Sequence, residues 1–227
     1  MSTTLLELRT QARQKADMEQ SQFITDDELN GYINKSIAEL HDLLISCYDS
    51  DYYMVEYLFQ TTVNVTNYAL PADFYKLRGV DLKLQGQDYY SVRPFNFNER
   101  NRNLDLQWGL IGGPSIRYRM IGSNMVFSPK PDGAYDCKLW YTPVATILVA
   151  DGDTLNDLNQ YSEYVTVDAA IKMLMKEESD VSELMAQKQA LAARIVSMAQ
   201  NRDAGQPESV SDIYAENNDY YFFRGNS

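Results

Sequence analysis

A side chain that moves protons needs a nucleophile or an orienting carboxylate within reach, and this chain of 227 residues offers one histidine, His41, for that work. His41 falls inside a helical pattern, near the edge of its apolar stripe, with no Ser-His-Asp or Cys-His grouping beside it. A boundary or packing role is therefore the expectation, and a hydrolase using His41 is the enzymatic alternative. The second cluster is Asp151-Gly152-Asp153, followed by Asn156 and Asp157. An EF-hand loop needs an oxygen ligand at its fifth position, glycine at its sixth and glutamate at its twelfth. Leu155, Asn156 and Ser162 stand there instead, so a polar turn before a helix is expected. Neither G-x-x-x-x-G-K followed by Ser or Thr, nor G-x-G-x-x-G, occurs to cradle a phosphate. Cys47 and Cys137 match no metal or disulfide spacing and read as free thiols in a reducing compartment. No catalytic residue, metal or cofactor is expected from these residues.

The residue types that do stand out suit contact rather than catalysis. There are 17 tyrosines, with pairs at Tyr52-Tyr53 and Tyr89-Tyr90. Many belong in strands, where tyrosine is favoured, but exposed copies would suit a protein interface or a sugar. A carbohydrate-binding module in the β region is therefore a second alternative. At the C-terminal end, after Gly205 and Pro207, an acidic and aperiodic stretch carries Tyr214, Tyr220, Tyr221, Phe222 and Phe223. Such a segment cannot bury these rings in a core of its own, and exposed they would favour association. The reading is an arm over residues 206–227 that orders on another subunit, with Ile213, Tyr214, Tyr220, Tyr221, Phe222, Phe223 and Arg224 as contact residues.

The elements that would position these residues can be read from periodicity. Thr4 and Glu7 form a capping box for a helix over 4–17, with Leu5, Leu8, Ala12 and Ala16 on one stripe. Thr25 and Glu28 repeat the box, Asp26 and Asp27 complement the helix N-terminus, and Leu29, Tyr32, Ile33, Ile37, Leu40, Leu44 and Cys47 keep helical spacing to about Tyr48. The period then becomes two: Val55, Tyr57, Phe59, Thr61, Val63 and Val65 alternate as in a half-buried strand. Further strands are predicted at 77–84, 89–92, 115–121, 125–128 and 135–141, separated by turn signals at Gly86, 112–114, Gly122-Ser123 and 131–133. Residues 95–103 read as a loop or short helix. Helical spacing returns with Tyr164, Val167, Ile171, Leu174 and Met175, ending near Glu178. Asp180 and Glu183 suggest a third capping box, and Val181, Leu184, Leu191, Ile195 and Met198 mark the last seam, interrupted by Lys188.

The expected fold class is α+β: a four-helix bundle-like body from 1–53 and 154–205, an inserted antiparallel β sandwich or barrel over 54–153, and the extended arm. The formal net charge of −12 argues against nucleic-acid binding by phosphate neutralisation. The richest apolar stretch, 144–150, is too short to span a membrane, and no secretory leader is evident. The sequons at Asn34 and Asn64 carry little weight in that setting.

Read in order, the segments Leu5-Leu6-Glu7-Leu8-Arg9, Phe23-Ile24-Thr25-Asp26-Asp27-Glu28-Leu29, Tyr68-Ala69-Leu70-Pro71-Ala72-Asp73-Phe74, Phe127-Ser128-Pro129-Lys130-Pro131 and Tyr161-Ser162-Glu163-Tyr164-Val165, leading into Asp168-Ala169-Ala170, resemble the head-to-tail adaptor (connector, or head completion) proteins of tailed bacteriophages, especially short-tailed ones. The resemblance spans nearly the whole chain and carries no catalytic signature to transfer. It implies a structural virion protein, made in the host cytoplasm and located at the portal vertex. Twelve copies would form a ring on the portal protein after DNA packaging and give a tail hub or nozzle protein its docking surface. The C-terminal arm would reach onto the portal, and packaged DNA would pass through the channel without specific binding.

Overall fold

The computed structural model describes residues 3–47, 53–84, 86–99, 116–155 and 159–200. Among the described residues, four α-helices and two four-stranded sheets give an α+β chain. The first helix, α1 (Leu5–Lys15), begins as its residues dictate: Thr4 Oγ1 accepts the Glu7 amide at 3.2 Å and the Glu7 carboxylate accepts the Thr4 amide at 2.9 Å. In α2 (Asp26–Cys47) the second capping box forms only by half. Thr25 Oγ1 accepts the Glu28 amide, but the Glu28 carboxylate turns outward to the Tyr32 hydroxyl and the Lys176 ammonium. A tertiary ion pair has won over the local hydrogen bond.

α3 (Ser162–Lys176) differs most from the one-stripe expectation. Tyr164, Val165, Thr166, Val167, Asp168, Ala169, Ala170, Ile171 and Met173 are all buried, so burial runs round most of the helix. That pattern belongs to a helix with neighbours on several sides, and α3 contacts α1, α2 and α4 (Ser182–Gln200). Ala169 and Ala170 are fully buried, small enough for the neighbours to approach closely. Met175, expected on the stripe, is exposed, as is Met198 of α4, whose place on the seam is taken by Ala199. The third capping box is replaced by a tighter turn in which Asp180 accepts both the amide and the hydroxyl of Ser182 at 2.9 Å.

The strands are β1 (Val55–Gln60), β2 (Asn67–Ala69), β3 (Phe74–Lys83), β4 (Tyr89–Ser91), β5 (Arg93–Pro94), β6 (Arg117–Ile121), β7 (Asn124–Ser128) and β8 (Asp136–Pro143). One sheet has the order β1-β8-β3-β4 and the other β2-β7-β6-β5. All pairings are antiparallel except β5 with β6, which is parallel, so the second sheet is mixed where an antiparallel one was expected. β6 and β7 are joined by Gly122-Ser123, and Gly122 takes φ 59° at the first central position, where a two-residue hairpin turn needs a left-handed residue. Both sheets feed one buried cluster that includes Val80, Leu82, Tyr118, Phe127, Cys137 and Leu139. The helices enclose a separate cluster.

β1 departs from its expected burial. The strand stops at Gln60, Asn64 adopts φ 63°, and Val63 and Val65 are exposed rather than aligned on a sheet. Val55, Tyr57 and Leu58 are exposed as well, because β1 is an edge strand with β8 alone beside it among the described residues. Of the expected loop or short helix at 95–103, the described part contains a 3-10 turn at Phe97–Glu99.

Candidate assembly surfaces

The predicted contact residues Ile213, Tyr214, Tyr220, Tyr221, Phe222, Phe223 and Arg224 lie outside the described residues. The helix that leads to them is described, and its direction follows from its partners. Lys188 meets Asp168 at 2.6 Å and, further along α4, Arg194 meets Glu163 at 4.0 Å. α4 therefore runs antiparallel to α3 and ends beside the start of α3. Lys172 reaches Ser36 and Glu39, and Lys176 reaches Glu28, so α3 is antiparallel to α2 as well. The end of α4 and the end of α2, where the chain enters the sheets, thus share one end of the helical body.

The interruption of the α4 seam at Lys188 has a partner the seam itself could not reveal. Asp168, 2% exposed in the middle of α3, is bonded by the ammonium groups of Lys172 and Lys188, and both lysines also reach Glu39 of α2. Burial alone would raise the Asp168 carboxyl, but Lys172, Lys188 and the Ser36 hydroxyl outweigh it and hold the group below its ordinary value. Lys188 is desolvated too, yet Asp168 and Glu39 move it above the ordinary lysine value. The pair is charged on both sides and ties three helices together.

His41 is 5% exposed and stacks on Tyr53 with ring centroids 4.8 Å apart, while the Tyr75 ring of β3 meets it edge-on at 5.7 Å. The Tyr75 hydroxyl donates to Asp42 at 2.7 Å. Burial pushes the imidazole below its ordinary value, against the opposing pull of Asp42 and the Pro143 carbonyl. These contacts make His41 the packed joint between α2 and the first sheet.

The acidic turn at 151–153 serves α1. The Asp153 and Asp151 carbonyls accept the Leu5 and Leu6 amides at 2.9 and 3.2 Å, satisfying N-terminal donors that the helix itself leaves open. Asp153 Oδ2 accepts the Val149 and Ala150 amides, and Asp151 pairs with Arg9. Among the described residues no group of His, Cys, Asp and Glu is arranged to hold a metal. Cys47 and Cys137 are free, the latter buried.

Sequence reading did not find the exposed apolar surface. The apolar stretch 144–150 is not core: Leu148 is buried, held at both main-chain groups by the Asn34 side-chain amide at 2.9 Å, while Ile147 is 69% and Val149 76% exposed. Leu6 of α1 is exposed close by, its amide bonded to Asp151. At the sheets, Met54, Val55, Tyr57 and Leu58 form a second exposed apolar run. The tyrosines divide: Tyr118 and Tyr141 are core, whereas Tyr57, Tyr75 and Tyr89 are exposed. A cleft lined by Tyr89, Tyr90, Arg93 and Arg117 opens beside β4. No described helix is long and apolar enough to cross a membrane.

An α+β body with exposed apolar segments at the joints of its elements has the features of an assembly component. The family model of the SU10 adaptor protein matches residues 3–211, and the chain belongs to that family. It is a bacteriophage head-tail adaptor, a structural component of the virion. No curated protein matches the chain.

Proposed function

We propose that this adaptor assembles on the portal protein after DNA packaging, as a ring of twelve copies at the portal vertex, and gives the tail hub or nozzle protein its docking surface. The membership of nearly the whole chain in an adaptor family is the observation that carries the reading. The working units are a helical body of residues 1–53 and 154–205, an inserted β domain of 54–153 and the arm of 206–227. In this reading Ile213, Tyr214, Tyr220, Tyr221, Phe222, Phe223 and Arg224 anchor the arm on the portal. Ordering an arm costs conformational entropy, which is offset when several aromatic anchors desolvate together, and repetition round a ring multiplies a weak contact into strong avidity. The charge of −12 suits a channel through which DNA passes without being held.

The test is capture on purified portal rings. The full chain is expected to bind, and a chain ending at Gly205 is expected to fold, with an unchanged far-ultraviolet spectrum, but to lose capture. Normal assembly by the shortened chain would overturn the role given to the arm.

A further inference from the structure

The edges of the two sheets are not equally defended. A free strand edge presents unpaired main-chain groups, and proteins blunt such edges with short strands, proline, charge or bulges. β2 and β4 have three residues each, and β5 has two, one of them Pro94. β1 has six, Val55-Glu56-Tyr57-Leu58-Phe59-Gln60, in unbroken register with β8, without proline or glycine. Its one charge, Glu56, is paired to Lys138 at 3.3 Å. The Thr61 amide bonds the Tyr135 carbonyl at 3.0 Å; by antiparallel alternation Phe59, Tyr57 and Val55 then bond to β8. Glu56, Leu58 and Gln60 are left presenting their amides and carbonyls at the edge. Side chains on both faces of the strand are apolar and open, with Leu58 57% exposed on one and Tyr57 41% on the other.

We propose that in the free adaptor this edge is the docking strand for residues 219–224 of the same chain, Asp219-Tyr220-Tyr221-Phe222-Phe223-Arg224, added antiparallel to β1. The segment is a run of strand-favouring rings with one charge at each end and neither proline nor glycine. Alternation puts Tyr220 and Phe222 on one face and Tyr221 and Phe223 on the other, so each face of the β1 edge receives two rings. The antiparallel direction brings Arg224 to the Glu56 end and keeps Asp219 away from it. The distance is short enough: α4 ends on the side of the helical body that feeds β1, and the residues from 201 to 218 can span up to about 60 Å. Tethering holds the segment at an effective concentration of about millimolar, ahead of other copies. This inference concerns the free chain and stands independently of what the arm meets on the virion.

Amide exchange followed residue by residue tests it, comparing the full chain with a chain ending at Asn218. The amides of Glu56, Leu58 and Gln60 are expected to exchange at least about tenfold more slowly in the full chain, which stays monomeric by sedimentation. Adding a synthetic peptide of residues 219–227 to the shortened chain should restore the protection. Leu58→Lys in the full chain, a change at an exposed position, should remove it while leaving the protection of β8 intact. Equal exchange in the two chains would overturn the proposal. So would protection that appears only with dimerisation, which would assign the edge to another copy. Loss of portal capture with protection intact, or the reverse, separates this inference from the function proposed above.

Discussion

Two buried titratable residues make the helical body sensitive to acid in stages. The His41 value lies below that of an unfolded histidine, so the unfolded chain binds the proton more readily. Stability is therefore expected to fall as the pH drops below about 6.5 and to go on falling to the folded value. The lowered Asp168 carboxyl acts further down: its contribution is present above about pH 3.9 and is lost as the pH falls through its folded value. The raised Lys188 contributes at all pH values below about 10.4 and is lost only above it. Replacing His41 by Phe keeps a ring between Tyr53 and Tyr75 but orphans the Pro143 carbonyl, at about 1 kcal/mol near pH 7. Denaturant titrations from pH 7.5 to 5 should then show the first acid stage removed. Asp168→Ala leaves two ammonium groups facing a void and is expected to cost about 3 kcal/mol. Adding Lys188→Met should return part of that loss, a coupling measured by a double-mutant cycle.

The helices could be read from the sequence because their signals are local. Thr4 with Glu7 is a contact between residues three apart, and the structure forms it in both directions. What was illegible depended on distant partners. Glu28 leaves its cap for Lys176, and Lys188 breaks an apolar seam for the sake of Asp168, on another helix. β2 and β5 are too short to display a period of two. In β1 the alternation was plain, but alternation marks where a strand can be covered and not whether a neighbour covers it. For the stretch 144–150, hydropathy likewise says nothing of which of its faces α2 meets. That contact is testable: Asn34→Leu removes the two hydrogen bonds that seat Leu148 and is expected to cost about 2 kcal/mol. Exchange at the Leu148 amide should rise more than exchange at the centre of α3 if the linker detaches as a unit.

At the scale of the molecule, the helical cluster and the sheet cluster are separately buried and joined by His41 and by the Tyr75–Asp42 contact. Calorimetry of Asp168→Ala is expected to move the unfolding of the helices more than that of the sheets, if the two units proposed above respond separately. Because α3 is the helix against which the others pack, and it follows the sheets in the chain, α1 and α2 emerge from the ribosome more than a hundred residues before their partner. At roughly 5–20 residues per second that is a wait on the order of ten seconds, during which α2 has α1 beside it but lacks α3, its main helical partner. The sheets, contiguous in sequence, can form during that wait. The helical body closes only once α3 has followed the sheets out of the ribosome, so the order of translation gives the sheets the first chance to fold.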